Sequence, residues 1–150
     1  MIENTQSYAE FFQTLISQIE SVRGKPTTGA GFYTQMKARA IQIFRMEIYL
    51  RDYRKKYATV WMPLPGISAA NHRILTKFHW TIPAIEALTI EQVFFALHDE
   101  IVNHPISEGA EAALKQYALR DMPAEGPFQD FLKNEWMPEI AELMPSDDPF

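Results

Sequence analysis

Apolar residues in this chain recur at three- and four-residue steps, and nowhere do they keep the two-residue alternation of a half-buried strand between hairpin turns. The first run is Tyr8, Phe11, Phe12, Leu15, Ile16, Ile19 and Val22, headed by Ser7-Tyr8-Ala9-Glu10. Serine followed three residues later by glutamate is the capping-box spacing, in which each side chain satisfies a backbone N–H of the first turn. An amphipathic helix is therefore predicted. Gly24 and Pro26 stop it, because glycine accepts the left-handed cap conformation and proline cannot continue a helix.

A flexible connection over residues 27–31 leads to a second helix predicted over residues 32–58, about seven turns long at 3.6 residues per turn. No proline or glycine interrupts it, and Met36, Ala40, Ile43, Phe44, Ile48, Leu50 and Tyr53 form a broad apolar stripe. Trp61-Met62-Pro63-Leu64-Pro65-Gly66 ends it, since each proline also turns the preceding residue away from helix. A shorter helix follows from Ser68 to Phe78, then a connection or single turn around Pro83. Thr89 and Gln92 form a second capping box, opening a helix that carries Val93, Phe94, Leu97, Ile101 and Val102 and stops before Pro105. Ser107 begins another, with Ala110, Ala113, Leu114, Tyr117 and Ala118 facing inward. A last amphipathic helix is expected through Phe128, Phe131, Leu132, Trp136, Ile140 and Leu143, bent or divided at Pro138. Residues 145–150 read as a frayed acidic tail. The expected architecture is all-α: one domain over residues 1–150, a bundle of five to seven helices.

Length and composition suit that picture. A chain of 150 residues, 47% hydrophobic and 13% aromatic, can bury a dense core without a metal or crosslink. The absence of cysteine excludes disulfides, thiol nucleophiles and thiolate metal sites, and fits a reducing compartment. With no leader-like start and no long apolar run, a cytoplasmic protein with no membrane partner is the expectation.

Charge changes the picture more. Residues 1–80 hold eleven Lys and Arg against five Asp and Glu, a net of +6, whereas residues 81–150 hold three against fourteen, a net of −11. Two surfaces of opposite potential are expected, and such surfaces steer partners more than they shape folds. The split is also compatible with self-association across a two-fold axis.

Candidate chemistry is sparse. His98 and His104 lie six residues apart, on different faces of a helix, and neither HExxH nor a paired Glu-x-x-His is present. A metal site built from His98, Glu100 and His104 is one alternative, although His104 before Pro105 also reads as a helix-ending residue that complements the dipole. Gly24-Lys25-Pro26-Thr27 falls short of a phosphate loop, because proline takes the hydroxyl position and a helix precedes it where a strand is required. Asp99, Glu100, Glu108 and Glu111 supply carboxylates, but nothing places one in an apolar pocket where its pKa would rise. No Gly-x-Ser-x-Gly occurs. Neither an enzyme nor a cofactor is expected.

A second alternative is nucleic-acid binding through Arg45, Arg51, Arg54, Lys55 and Lys56, interleaved with Tyr49, Tyr53 and Tyr57. Against it stands an acidic chain of pI about 5.3. The favoured expectation is a small acidic binding protein that neutralises or escorts a basic protein partner, in the manner of immunity proteins and antitoxins. Asp99, Glu100, Glu108 and Glu111 would meet the partner's basic groups, with Tyr117 or Trp136 as an exposed aromatic anchor.

Overall fold

A computed structural model describes residues 7–24, 30–116 and 126–145. They form seven α-helices and a 3-10 helix, with no strand among them, so the all-α class holds. The helices are α1 (Tyr8–Arg23), α2 (Ala30–Tyr57), α3 (Ser68–Phe78), α4 (Ile82–Glu86), α5 (Ile90–Ala96), α6 (His98–Asn103) and α7 (Glu108–Gln116), and the 3-10 turn spans Pro138–Leu143. The chain divides into two compact units, Met1–Phe44 with Pro105–Phe150, and Arg45–His104, so the division falls inside α2.

In the first unit the capping box of α1 is formed on both sides. The Ser7 N–H donates to Glu10 Oε1 at 2.9 Å, and the Glu10 N–H donates to Ser7 Oγ at 3.1 Å. Gly24 takes φ 85° and donates its N–H to the Glu20 carbonyl at 2.7 Å, so the glycine ends the helix as its conformational freedom allows. The apolar stripe of α1 packs on Phe44, whose ring centroid lies 6.1, 6.0 and 5.5 Å from those of Tyr8, Phe11 and Phe12. Helix α7 turns Ala110, Ala113 and Leu114 inward. Small residues let it approach α1 closely, and a Cβ on Gly109 would stand only 3.3 Å from the Tyr8 ring.

The segment 128–137 is not the helix its periodicity predicts. Two arginines claim its backbone instead: Arg39 donates to the carbonyls of Phe128 and Asp130, and Arg23 donates to Asp130 O at 2.6 Å. These guanidinium donors satisfy carbonyls that no helical N–H meets here. Asn134 sits at φ 67°, a left-handed conformation that asparagine tolerates, and helical geometry resumes only as the 3-10 turn after Met137.

In the unit Arg45–His104 the core is Met46, Ile48, Leu50, Leu64, Ala69, Ala70, Ile74, Val93, Phe94 and Leu97. Arg54 fastens the loop after α2 by donating to the carbonyls of Leu64 and Gly66, each at 2.8 Å. Those bonds hold buried Leu64 at φ 55°, a conformation that costs a residue with a Cβ about 1–2 kcal/mol. The second capping box, Thr89 with Gln92, is formed as the spacing predicts. The helix it opens is not continuous, because Leu97 leaves helical geometry at φ −105° and ψ 11°. Lys77 takes up the Ala96 carbonyl at that break, at 3.3 Å.

Candidate functional site

The Arg45–His104 unit carries a groove of about 770 Å³ lined by Phe78, Trp80, Leu88 and Phe95. The Pro83 segment folds as α4 with Thr81 as its N-cap, accepting from the Ala84 N–H at 3.3 Å. The short connection into it leaves Trp80 exposed beside Phe78, their rings stacked at 4.8 Å. From α5, Phe95 adds a ring that is 86% exposed, and Leu88 completes the floor. Asp99, in the first turn of α6, is exposed at the rim, and His98 lies beside it. The ammonium of Lys77 also reaches this rim but is engaged by Glu100 Oε1 at 2.9 Å.

Glu100 also pairs with Arg73 at 3.3 Å, so the structure assigns this carboxylate to an internal clasp. Burial alone would push its pKa up, but the Lys77 hydrogen bond and the charges of Lys77 and Arg73 hold it below the usual value of 4.5. A depressed carboxylate pKa stabilises the fold above the unfolded pKa, and that contribution disappears as pH falls through the folded one. In urea unfolding, the advantage of the wild type over Glu100→Gln is expected to be full at neutral pH and to shrink below pH 4.5. A constant difference between the two across that range would contradict the clasp.

The remaining sequence candidates separate. Glu108 and Glu111 are exposed on α7, in the first unit. Trp136 is 7% exposed and belongs to the core of that unit, so it is not an exposed anchor. Tyr117 lies outside the described residues, as do Asp121, Glu125, Asp147, Asp148 and the tail beyond Pro145. Glu135, one of the carboxylates behind the acidic reading, is buried and accepts from both Arg23 and Arg39. The exposed anchors that periodicity missed are Phe95 and the pair Val60 and Trp61, each of the latter 97% exposed on a tight turn closed by reciprocal bonds between Thr59 and Met62. The two prolines after Trp61 were the available signal, since they forbid the helix that would have buried it.

The alternatives fare as follows. Among the described residues no group of three or more His, Asp or Glu is placed to hold a metal ion. Of the proposed triad, Glu100 is held by Lys77 and Arg73, and His104 Nε2 is 2.7 Å from Asp52 Oδ2. In the basic stretch Arg54 is spent on the loop carbonyls, where burial draws its pKa down against the pull of Glu47, and Arg51 pairs with Asp52 at 3.1 Å. Tyr49 and Tyr53 are buried, which leaves Tyr57 as the exposed ring of the three. Among the described residues no helix is long and apolar enough to cross a membrane.

Fold and surface together define an all-α protein with an open aromatic groove and a carboxylate at its rim. No protein-family model, curated protein or solved structure matches the chain.

Proposed function

We propose that this chain is a binding protein that neutralises or escorts a basic protein partner. The observation that carries the reading is the groove of Phe78, Trp80 and Phe95 with Asp99 at its rim. Aromatic faces beside a carboxylate suit an arginine or lysine side chain, whose aliphatic stem packs on the rings while its charged head meets the acid. An apolar floor with a polar rim is also the usual anatomy of an interface centre.

Charge supports the same reading. The unit Met1–Phe44 with Pro105–Phe150 carries seven Lys and Arg against thirteen Asp and Glu, while Arg45–His104 carries seven against six. Two of the first unit's cations, Arg23 and Arg39, are turned onto Glu135, whereas Glu108, Glu111, Glu139 and Glu142 face water. Exposed carboxylates of this kind attract a basic partner over about a Debye length, roughly 8 Å at physiological salt.

The test is retention of proteins from a lysate of the source cells on the immobilised chain at low salt. The expected result is one basic protein, released at a defined salt step, that a Phe95→Ala/Asp99→Lys double variant no longer retains. A Glu108→Lys/Glu111→Lys variant should still retain it but associate more slowly and with a weaker salt dependence. Retention by the groove variant equal to that of the wild type would overturn the proposal, as would retention of no basic protein. All four side chains are exposed, so these substitutions are expected to leave the thermal midpoint unchanged.

A further inference from the structure

Besides its groove, the Arg45–His104 unit carries an apolar tip. Val60 and Trp61 are the central pair of a turn in which the Thr59 N–H donates to the Met62 carbonyl at 2.9 Å and the Met62 N–H donates to the Thr59 carbonyl at 3.1 Å. The Thr59 hydroxyl accepts from the same Met62 N–H at 3.0 Å. Both central side chains are almost wholly exposed. The turn is fastened at its base: Pro63 and Pro65 restrict the chain behind it, Arg54 holds the Leu64 and Gly66 carbonyls, and Leu64 is buried. A tryptophan presented on backbone that is already fixed loses little freedom when it docks, which suits it to be an interface anchor.

Tip and groove complement each other in shape and charge. The groove offers apolar surface from Phe78, Trp80, Leu88 and Phe95, and Asp99 stands beside them. Asp99 is exposed, and its carboxylate pairs with no cation among the described residues. Lys56, in the last turn of α2 and four residues before Val60, is also exposed. Its ammonium lies 5.4 Å from the centre of the Tyr57 ring and pairs with no carboxylate among the described residues. An unmatched cation therefore accompanies the tip and an unmatched anion the groove, the arrangement that favours their meeting. Area sets the strength. Two tryptophans exchanged between two copies, each burying about 150–250 Å² and counted on both faces, cover about 600–1,000 Å². Val60 and Met62 extend that toward the roughly 1,200 Å² at which stable interfaces begin, so a weak, reversible contact is expected.

We propose that two copies of this chain pair by exchanging these tips, Trp61 of each entering the Phe78, Trp80 and Phe95 groove of the other, with Lys56 toward Asp99. A two-fold arrangement closes the contact, since each copy supplies one tip and one groove. The inference rests on the groove being a binding site, and a basic partner that takes the groove displaces the tip.

Sedimentation velocity of the full chain across a concentration series tests the exchange. The expected result is a monomer that becomes a dimer with Kd of about 10–100 µM. Trp61→Ala and Phe95→Ala should each weaken pairing at least about ten-fold at an unchanged thermal midpoint, because both side chains are exposed. An equimolar mixture of the two variants should pair more tightly than either alone, since it restores one intact tip facing one intact groove. A monomer at every concentration would overturn the proposal, and so would a dimer that either variant leaves intact or a mixture without rescue. Binding of monomeric wild type to phosphatidylserine vesicles, lost in Trp61→Ala, would overturn it in favour of a lipid surface. Trp61→Ala keeps the whole groove and is expected to retain the basic protein from the lysate. A wild type that stays monomeric yet retains that protein overturns the exchange alone, and one that pairs but retains no basic protein overturns the proposed function alone.

Discussion

Replacing Glu135 by alanine is expected to remove about 3–5 kcal/mol of folding stability, the cost of leaving buried cations without their counter-charge. Glu135 is 1% exposed and Arg39 equally so. One carboxylate oxygen accepts from Arg39 Nη1 at 2.9 Å, Arg23 Nη2 at 3.0 Å and the Leu132 N–H at 3.0 Å, and the other accepts from Arg23 Nε at 2.6 Å. Phe131 and Phe128 cover the two guanidinium groups at 3.5 and 3.8 Å, so water has little access to compensate. The same contacts hold segment 128–137 in its irregular path, and the variant should therefore also expose that segment to proteolysis. Urea unfolding with an unchanged m-value measures the loss. A change below about 1 kcal/mol would mean that the cluster behaves as a surface ion pair, and the account of the segment would fail.

Phe44→Ala should cost a similar amount, about 3–5 kcal/mol, through the lost transfer energy of the ring and the cavity left behind. Phe44 is fully buried and is the ring on which Tyr8, Phe11 and Phe12 all converge, two of them edge-on. Edge-to-face pairs of this kind add to burial, so truncation at Phe44 should exceed truncation at Tyr8, which lies at the margin of the core with 9% exposure. Comparison of the two alanine variants by thermal unfolding checks the order. Equal losses would show that the cluster has no centre at Phe44.

The groove was legible in the sequence only in part. The sequence offers Asp99 as an acid that would meet a partner, and in the structure this side chain stands at the groove. Its aromatic neighbour Phe95 falls outside the apolar positions the sequence assigns to that helix, and the rotation of α5 buries Phe94 while exposing Phe95. Trp136 runs the opposite way: the sequence offers it as an exposed anchor, and the fold buries it in the core. A warning did exist in the sequence: Arg39 interrupts the apolar run of α2, and Glu135 lies between Leu132 and Trp136. A charge within an apolar stretch must be paired when buried. The tyrosine face of α2 is visible in the sequence, since Tyr49, Tyr53 and Tyr57 recur at four-residue steps, but Arg73 and His104 join it only through tertiary packing.

Local information determined the helices whose signals lie within one or two turns. Ser7 with Glu10 and Thr89 with Gln92 close their capping boxes, Gly24 ends α1, and the span Ser68–Phe78 is observed as predicted. These features depend on hydrogen bonds between residues three or four apart, and the sequence displays such neighbours directly. Tertiary structure alone decided that 128–137 would abandon its helical period, that the helix after Thr89 would break at Leu97, and which carboxylates would face water. Each of those outcomes depends on a charged group arriving from far along the chain: Arg23 and Arg39 at Glu135, Lys77 at the Ala96 carbonyl and at Glu100. Periodicity records which face of a segment is apolar, and it carries no trace of a distant donor strong enough to claim a backbone carbonyl.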